Sequence, residues 1–117
     1  MLASCGKNNE LLIRSSNEDI INQSLRLNPI GTSWETVVDY CASSKMKCDT
    51  YASKGFVYHP NGYSSKRSSV IGAAHIRHSM GSYRNTIFTN LSKTIFWAFD
   101  NEKKLIGMWV TQDIDAP

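Results

Sequence analysis

The sequence predicts an α+β domain with two short N-terminal helices packed on one face of a four-stranded antiparallel meander sheet. Three observations carry that expectation. Residues Thr32-Ser33-Trp34-Glu35 read as a capping box, followed by an apolar stripe at helical spacing. Thr94 to Phe99 reads as a strong strand. Asp100-Asn101-Glu102-Lys103 then reads as a tight turn into a returning strand, Lys104 to Gln112.

The first helix is expected to start at Ser16-Asn17-Glu18-Asp19, a capping hydroxyl followed by carboxylates that suit the positive end of the helix dipole. Ile20, Ile21, Ser24 and Leu25 share one face. The helix should stop near Asn28, because the residue before Pro29 is pushed out of the α region. The second helix is expected over residues 33–43, with Thr32 as cap and Glu35 reaching back to it. Its stripe is Trp34, Val37, Val38 and Cys41, and Gly31 lets the chain turn into the cap.

The first strand region runs from Cys48 to Tyr58, and His59-Pro60-Asn61-Gly62 is a turn signature. Tyr63 to Ser69 reads as a basic loop and Val70 to His78 as a strand rich in small residues. Met80 to Asn90 reads as a loop in which Ile87 and Phe88 can pack. Strand parity places Ile95, Trp97 and Phe99 on the core face, and Ile106, Met108 and Val110 with them. Phe96 and Trp109 are left on the outer face, side by side, either open to a partner or covered by the N-terminal segment.

At 117 residues the chain is read as one domain, with residues 1–15 as a tether and residues 16–117 folded. No apolar run approaches the roughly 18 residues of a membrane span. Leu2-Ala3-Ser4-Cys5 resembles a bacterial lipobox: an aliphatic residue, two small residues and the cysteine that becomes lipidated. On that reading the charged and apolar parts of the signal lie before Met1; otherwise Cys5 is a stray thiol at an ordinary N-terminus. Lipidation of Cys5 leaves Cys41 and Cys48 as a pair, and the oxidising periplasm favours a disulfide between them. Their alternative is a pair of buried free thiols in a reducing compartment. Their spacing is neither a redox nor a zinc motif.

The net charge is +3, and its distribution is uneven. No acidic residue lies between Asp49 and Asp100, a stretch that carries Lys54, Lys66, Arg67, Arg77, Arg84, Lys93 and all three histidines. Such a stretch favours acidic partners or anionic headgroups, or is simply a solvated face.

Two segments resemble a known family. Pro29-Ile30-Gly31-Thr32-Ser33-Trp34-Glu35-Thr36-Val37 resembles the segment that opens the helix in small lipoproteins of the BamE/SmpA/OmlA type and the related beta-lactamase-inhibitor-protein-like fold. Lys93-Thr94-Ile95-Phe96-Trp97-Ala98-Phe99-Asp100, with Lys104-Leu105-Ile106 after it, resembles that group's final hairpin. The likeness spans roughly residues 27–112 and departs at Lys103, where the group usually has glycine. It implies a protein-binding module anchored to the outer membrane and facing the periplasm, not an enzyme. Its partner would be a toxin, a periplasmic enzyme or an envelope-assembly component. It implies either an inhibitor or immunity role, or a structural role in outer-membrane assembly.

No Ser/His/Asp arrangement, phosphate loop or metal-ligand spacing is readable, so no catalytic residue, metal or cofactor is expected, and a secreted chain is not expected to bind nucleic acid. His75 and His78, three apart on a strand, should face opposite ways. Phe96, Trp109, Arg77 and Arg84 are the candidate partner-binding residues, since Trp and Arg dominate interface energetics.

Overall fold

The structure is a computed structural model that describes residues 12–59 and 68–115. The lipobox reading at Cys5, the turn at Pro60-Asn61-Gly62 and most of the basic loop after it lie outside the described residues.

Helix α1 (Asn17–Leu27) starts where Ser16 accepts a hydrogen bond from the Asp19 amide, and Asn28 caps its end. Its buried face is Ile20 and Ser24, flanked by Ile21 and Leu25. Helix α2 (Trp34–Ser43) buries Val37 and Cys41. Its cap is Ser33, not Thr32: the Ser33 hydroxyl accepts from the Thr36 amide at 3.2 Å. Thr32 is engaged elsewhere, its hydroxyl donating to the Pro29 carbonyl at 2.6 Å and its own carbonyl accepting from the Leu105 amide. Gly31 makes the preceding turn at φ +95°, where a side chain would be strained.

Among the described residues six strands follow: β1 (Cys48–Tyr51), β2 (Phe56–Tyr58), β3 (Ser69–Ile71), β4 (Ala74–Thr86), β5 (Thr89–Phe99) and β6 (Leu105–Asp115). Four form an antiparallel sheet in the order β1-β4-β5-β6, and β2 and β3 form a separate two-stranded ribbon. The α+β meander is therefore the one the sequence predicts, with a ribbon inserted between its first and second strands.

Three boundaries differ from the sequence expectation. Cys48 to Tyr58 is two strands in two sheets, and Val70 to His78 is split at Gly72-Ala73. Gly72 sits at φ +78°, and a Cβ there would lie 2.6 Å from the Phe99 carbonyl oxygen, so only glycine admits this crossing. Residues 80–90 are not a loop but the distal half of a long β4–β5 hairpin. A two-residue turn at Ile87-Phe88 closes it, with Thr86 opposite Thr89.

The helices cover one face of the sheet. Ile76, Ile95, Trp97, Phe99, Leu105 and Met108 line that face and pack with Ile20, Val37 and Cys41 into one core. The fully buried Trp97 indole N–H donates to the Ser24 hydroxyl at 3.1 Å, which is why a serine belongs on the apolar stripe of α1. Trp34 meets Phe99 edge to face at 5.0 Å. Ile106, expected in the core, is 42% exposed, and Leu105 takes its place at 1%. A bulge is the cause: Ala98 pairs with Gly107 but Phe99 with Leu105, leaving Ile106 unpaired. The Sγ atoms of Cys41 and Cys48 stand at disulfide distance, with their Cα atoms 6.3 Å apart, tying the end of α2 to the start of β1.

Candidate functional site

The sheet's second face carries the candidate site, and register builds it residue by residue. Asp49, Arg77, Phe96 and Trp109 lie in one row across β1, β4, β5 and β6. Tyr51, His75, Ala98 and Gly107 form the next row. Alternation along each strand sends all of these side chains away from the helices. His78, three residues beyond His75, pairs with Ile95 and so belongs to the helix-covered face. The histidines are therefore on opposite faces, as strand parity requires.

Of the two alternatives for Phe96 and Trp109, open or covered, the structure shows cover. Phe96 is buried, at 8% exposure, and Trp109 is half-buried. Among the described residues the cover is the β2–β3 ribbon. Phe56 of β2 stacks on Phe96 at 4.2 Å and 19°, and lies 5.7 Å from the Trp109 ring. Tyr58 approaches Trp109 at 6.4 Å. Gly107 makes room for this arrangement, since a Cβ there would stand 3.0 Å from the Trp109 ring. At the ribbon's base, Gly55 and Gly72 meet so closely that a Cβ on Gly55 would be 2.4 Å from the Gly72 oxygen. Composition hid this ribbon, because its two strands are three residues each and its apolar positions, Phe56 inward and Val57 and Val70 outward, obey no long alternation.

Beside the ribbon lies a cleft of about 240 Å³, lined by Tyr51, Lys54, Phe56, His59, His75, Arg77 and Phe96 among others. Tyr51 stacks on His75 at 4.4 Å and 13°. His75 Nδ1 donates to the Lys54 carbonyl at 2.7 Å, which fixes the ring's orientation. None of the described lining residues is a carboxylate, though Asp49 pairs with Arg77 of the lining at 3.1 Å. Both members of that pair are about half exposed, so it contributes at most ~1 kcal/mol.

Of the four predicted partner-binding residues, the structure brings Arg77, Phe96 and Trp109 together. Arg84 stands apart on the distal hairpin, where its guanidinium donates to the Ile87 carbonyl at 3.3 Å. That hairpin exposes Ile87 and Phe88 at its tip, and Arg14 lies over the Tyr83 ring at 4.5 Å.

Among the described residues two ionisable groups are shifted, and neither lines this cleft. Burial raises the Tyr40 phenol above its ordinary 10.0, partly offset by a hydrogen bond with Ser44. Burial lowers the Lys93 ammonium below its ordinary 10.5, and its Nζ donates to the Ser15 carbonyl at 2.6 Å. Among the described residues, no three His, Cys, Asp or Glu side chains gather as a metal site. Nor is any helix there long and apolar enough to cross a membrane.

The fold and site together define a small α+β domain with a cysteine pair at disulfide distance and an aromatic cleft under a β-ribbon. Comparison of the chain with protein-family models, curated proteins and solved structures finds no match.

Proposed function

We propose that this chain is a periplasm-facing lipoprotein, anchored to the outer membrane through Cys5, that binds and neutralises a specific protein as an inhibitor or immunity factor. The observation that carries this reading is the chemistry of the outer-face cleft. The stretch between Asp49 and Asp100, which has no carboxylate, supplies the ribbon and the two central strands. It sets Lys54 and Arg77 beside a packed aromatic floor of Phe56 and Phe96, with Trp109 half-open at its edge. A half-open Trp109 beside two cations suits an acidic protein surface: the ring is desolvated on docking and the cations steer. A cysteine pair at disulfide distance agrees with an oxidising compartment.

A second reading, a structural accessory of outer-membrane assembly, draws on a different observation. The two segments that resemble the BamE-type lipoproteins touch: Leu105 exchanges hydrogen bonds with Gly31 and Thr32.

One experiment separates them. The chain, expressed with a lipoprotein signal and a C-terminal tag, is purified from envelopes as wild type, Lys54→Glu, Arg77→Glu and Trp109→Ala. Inhibitor function requires a retained protein that the three variants release and whose activity the wild type blocks at equal stoichiometry. Retention of outer-membrane assembly components, with altered outer-membrane protein levels on gene deletion, assigns the accessory role instead. No variant-sensitive partner at all rejects the cleft as the binding site. Labelled palmitate that fails to enter the chain, or enters it equally in Cys5→Ser, rejects the anchor.

A further inference from the structure

The outer edge of β6 is long and unpaired among the described residues. The opposite edge is β1, only four residues long, carrying Asp49 and beginning at Cys48, and beyond it the distal part of β4, which has a register shift between Ser79 and Gly81 and carries Arg84. Native sheets blunt their edges with charge, proline or shortness, and β1 has two of these. β6 has none in its middle: Gly107 to Gln112 is uncharged and without proline.

The fold itself marks where the free edge begins. At Leu105 the edge is occupied, since the Leu105 amide donates to the Thr32 carbonyl and its carbonyl accepts from the Gly31 amide, both at 2.8 Å. From Ile106 onward no described backbone group bonds that side. Two exposed isoleucines bracket the free stretch, Ile106 at 42% and Ile114 at 62%. They stand four positions either side of Val110. The charges are polar along the strand too, with Lys103 and Lys104 before it and Asp113 near its end.

We propose that β6 is a dimerisation edge, and that β6 of a second copy of this chain pairs antiparallel with it about a two-fold axis at Val110. Residues opposite one another in a sheet share a face, so a two-fold normal to the sheet must place one residue opposite its own copy. Centring on Val110 sets each Ile106 against Ile114 of the second copy, and Trp109 against Thr111, an aromatic–β-branched pair of the kind that stabilises sheets. The neighbouring centres, Trp109 and Thr111, set Ile114 against Lys104 or Met108 instead. Antiparallel alignment also brings the cationic start of one strand alongside the anionic end of the other. The result is a continuous sheet with both pairs of helices on one face and both ribbons on the other, so the two outer-face clefts point the same way.

Sedimentation of the full 117-residue chain tests this. The wild type is expected to form a reversible dimer across the micromolar range. Ile106→Lys with Ile114→Lys sets like charges across the axis and should give monomer whose urea midpoint matches that of wild type diluted until it is monomeric, because both positions are exposed. Ile106→Lys with Ile114→Glu sets opposite charges across the same axis and should restore the dimer. A wild type that stays monomeric overturns the proposal, whether its β6 amides exchange freely or are protected by the chain's own N-terminal residues. So does a dimer indifferent to the double lysine variant, and so does failure of the lysine–glutamate variant to dimerise.

Discussion

Single residues decide how this core tolerates polarity. Ser24 is buried on α1 because Trp97, fully enclosed, has one N–H to satisfy. Ser24→Ala should therefore cost about 1–3 kcal/mol, the desolvation cost of an orphaned donor, in urea unfolding. A loss below a few tenths would mean the indole finds another acceptor. Lys103 is a different case. It adopts φ +61°, while its ammonium lies over the Trp34 ring at 4.9 Å and donates to the Ala52 carbonyl. Lys103→Ala keeps the strain and loses the contacts, and should destabilise by roughly 1 kcal/mol. Lys103→Gly loses the same contacts but relieves the strain, and should be close to neutral. Lys93 titrates below its ordinary value because it is buried. Between that lowered value and 10.5 the unfolded chain holds more protons than the native one, so its contribution to stability rises with pH across that window and is flat below it. Tyr40 acts oppositely above pH 10, where the native state holds the extra proton and stability falls. Lys93→Met should therefore flatten the rise just below pH 10.5 and leave the decline due to Tyr40, as measured by urea midpoints along a pH series.

At the scale of elements, the cysteine pair joins two pieces that otherwise share little. A bridge between Cys41 and Cys48, separated by 7 in sequence, closes a short loop and should contribute about 2–3 kcal/mol by constraining the unfolded chain. Cys41→Ser, Cys48→Ser and the double variant should all lose a similar amount, and the native protein should show neither thiol to a thiol reagent. A double variant much worse than either single would contradict a bridge. Which elements could be read in advance follows from burial. The helices, the 94–99 strand and its turn were legible because each has one face against the core, which imposes a periodicity. The distal hairpin over 80–90 was not. It reaches past the helices, its residues are mostly exposed on both faces, and its Ile87-Phe88 turn lacks the glycine or asparagine that marks a tight hairpin. The outer-face position of Phe96 and Trp109 was legible from parity alone, whereas the ribbon cover was not, since a register pairing between short strands leaves no local signal.

The molecule as a whole is a sheet with two unequal layers, and their energetics should separate. On one face the helices bury a continuous apolar core that includes Trp97, Phe99, Ile76 and Ile95. On the other, a ribbon of three-residue strands is held by an aromatic cluster around Phe56 and by the close crossing at Gly55 and Gly72. Few residues fix the ribbon, and an isolated two-stranded hairpin is marginal in water, so it should open without unfolding the sheet. Native-state hydrogen exchange is expected to show amides of β2 and β3 exchanging through a low-energy local opening. Amides of Ile95 to Phe99 should exchange only through global unfolding. Phe56→Ala removes the ring stacked on Phe96, so it should abolish ribbon protection while moving the global urea midpoint far less than the roughly 3–5 kcal/mol of a core phenylalanine deletion. Equal losses in both would make the ribbon part of the main cooperative unit. An opening ribbon would uncover Phe96 and Trp109 beside Arg77, converting a covered aromatic row into an anchor surface. Phe56→Ala should then strengthen binding of any partner that docks on that row, and weaken binding of one that docks on the closed cleft.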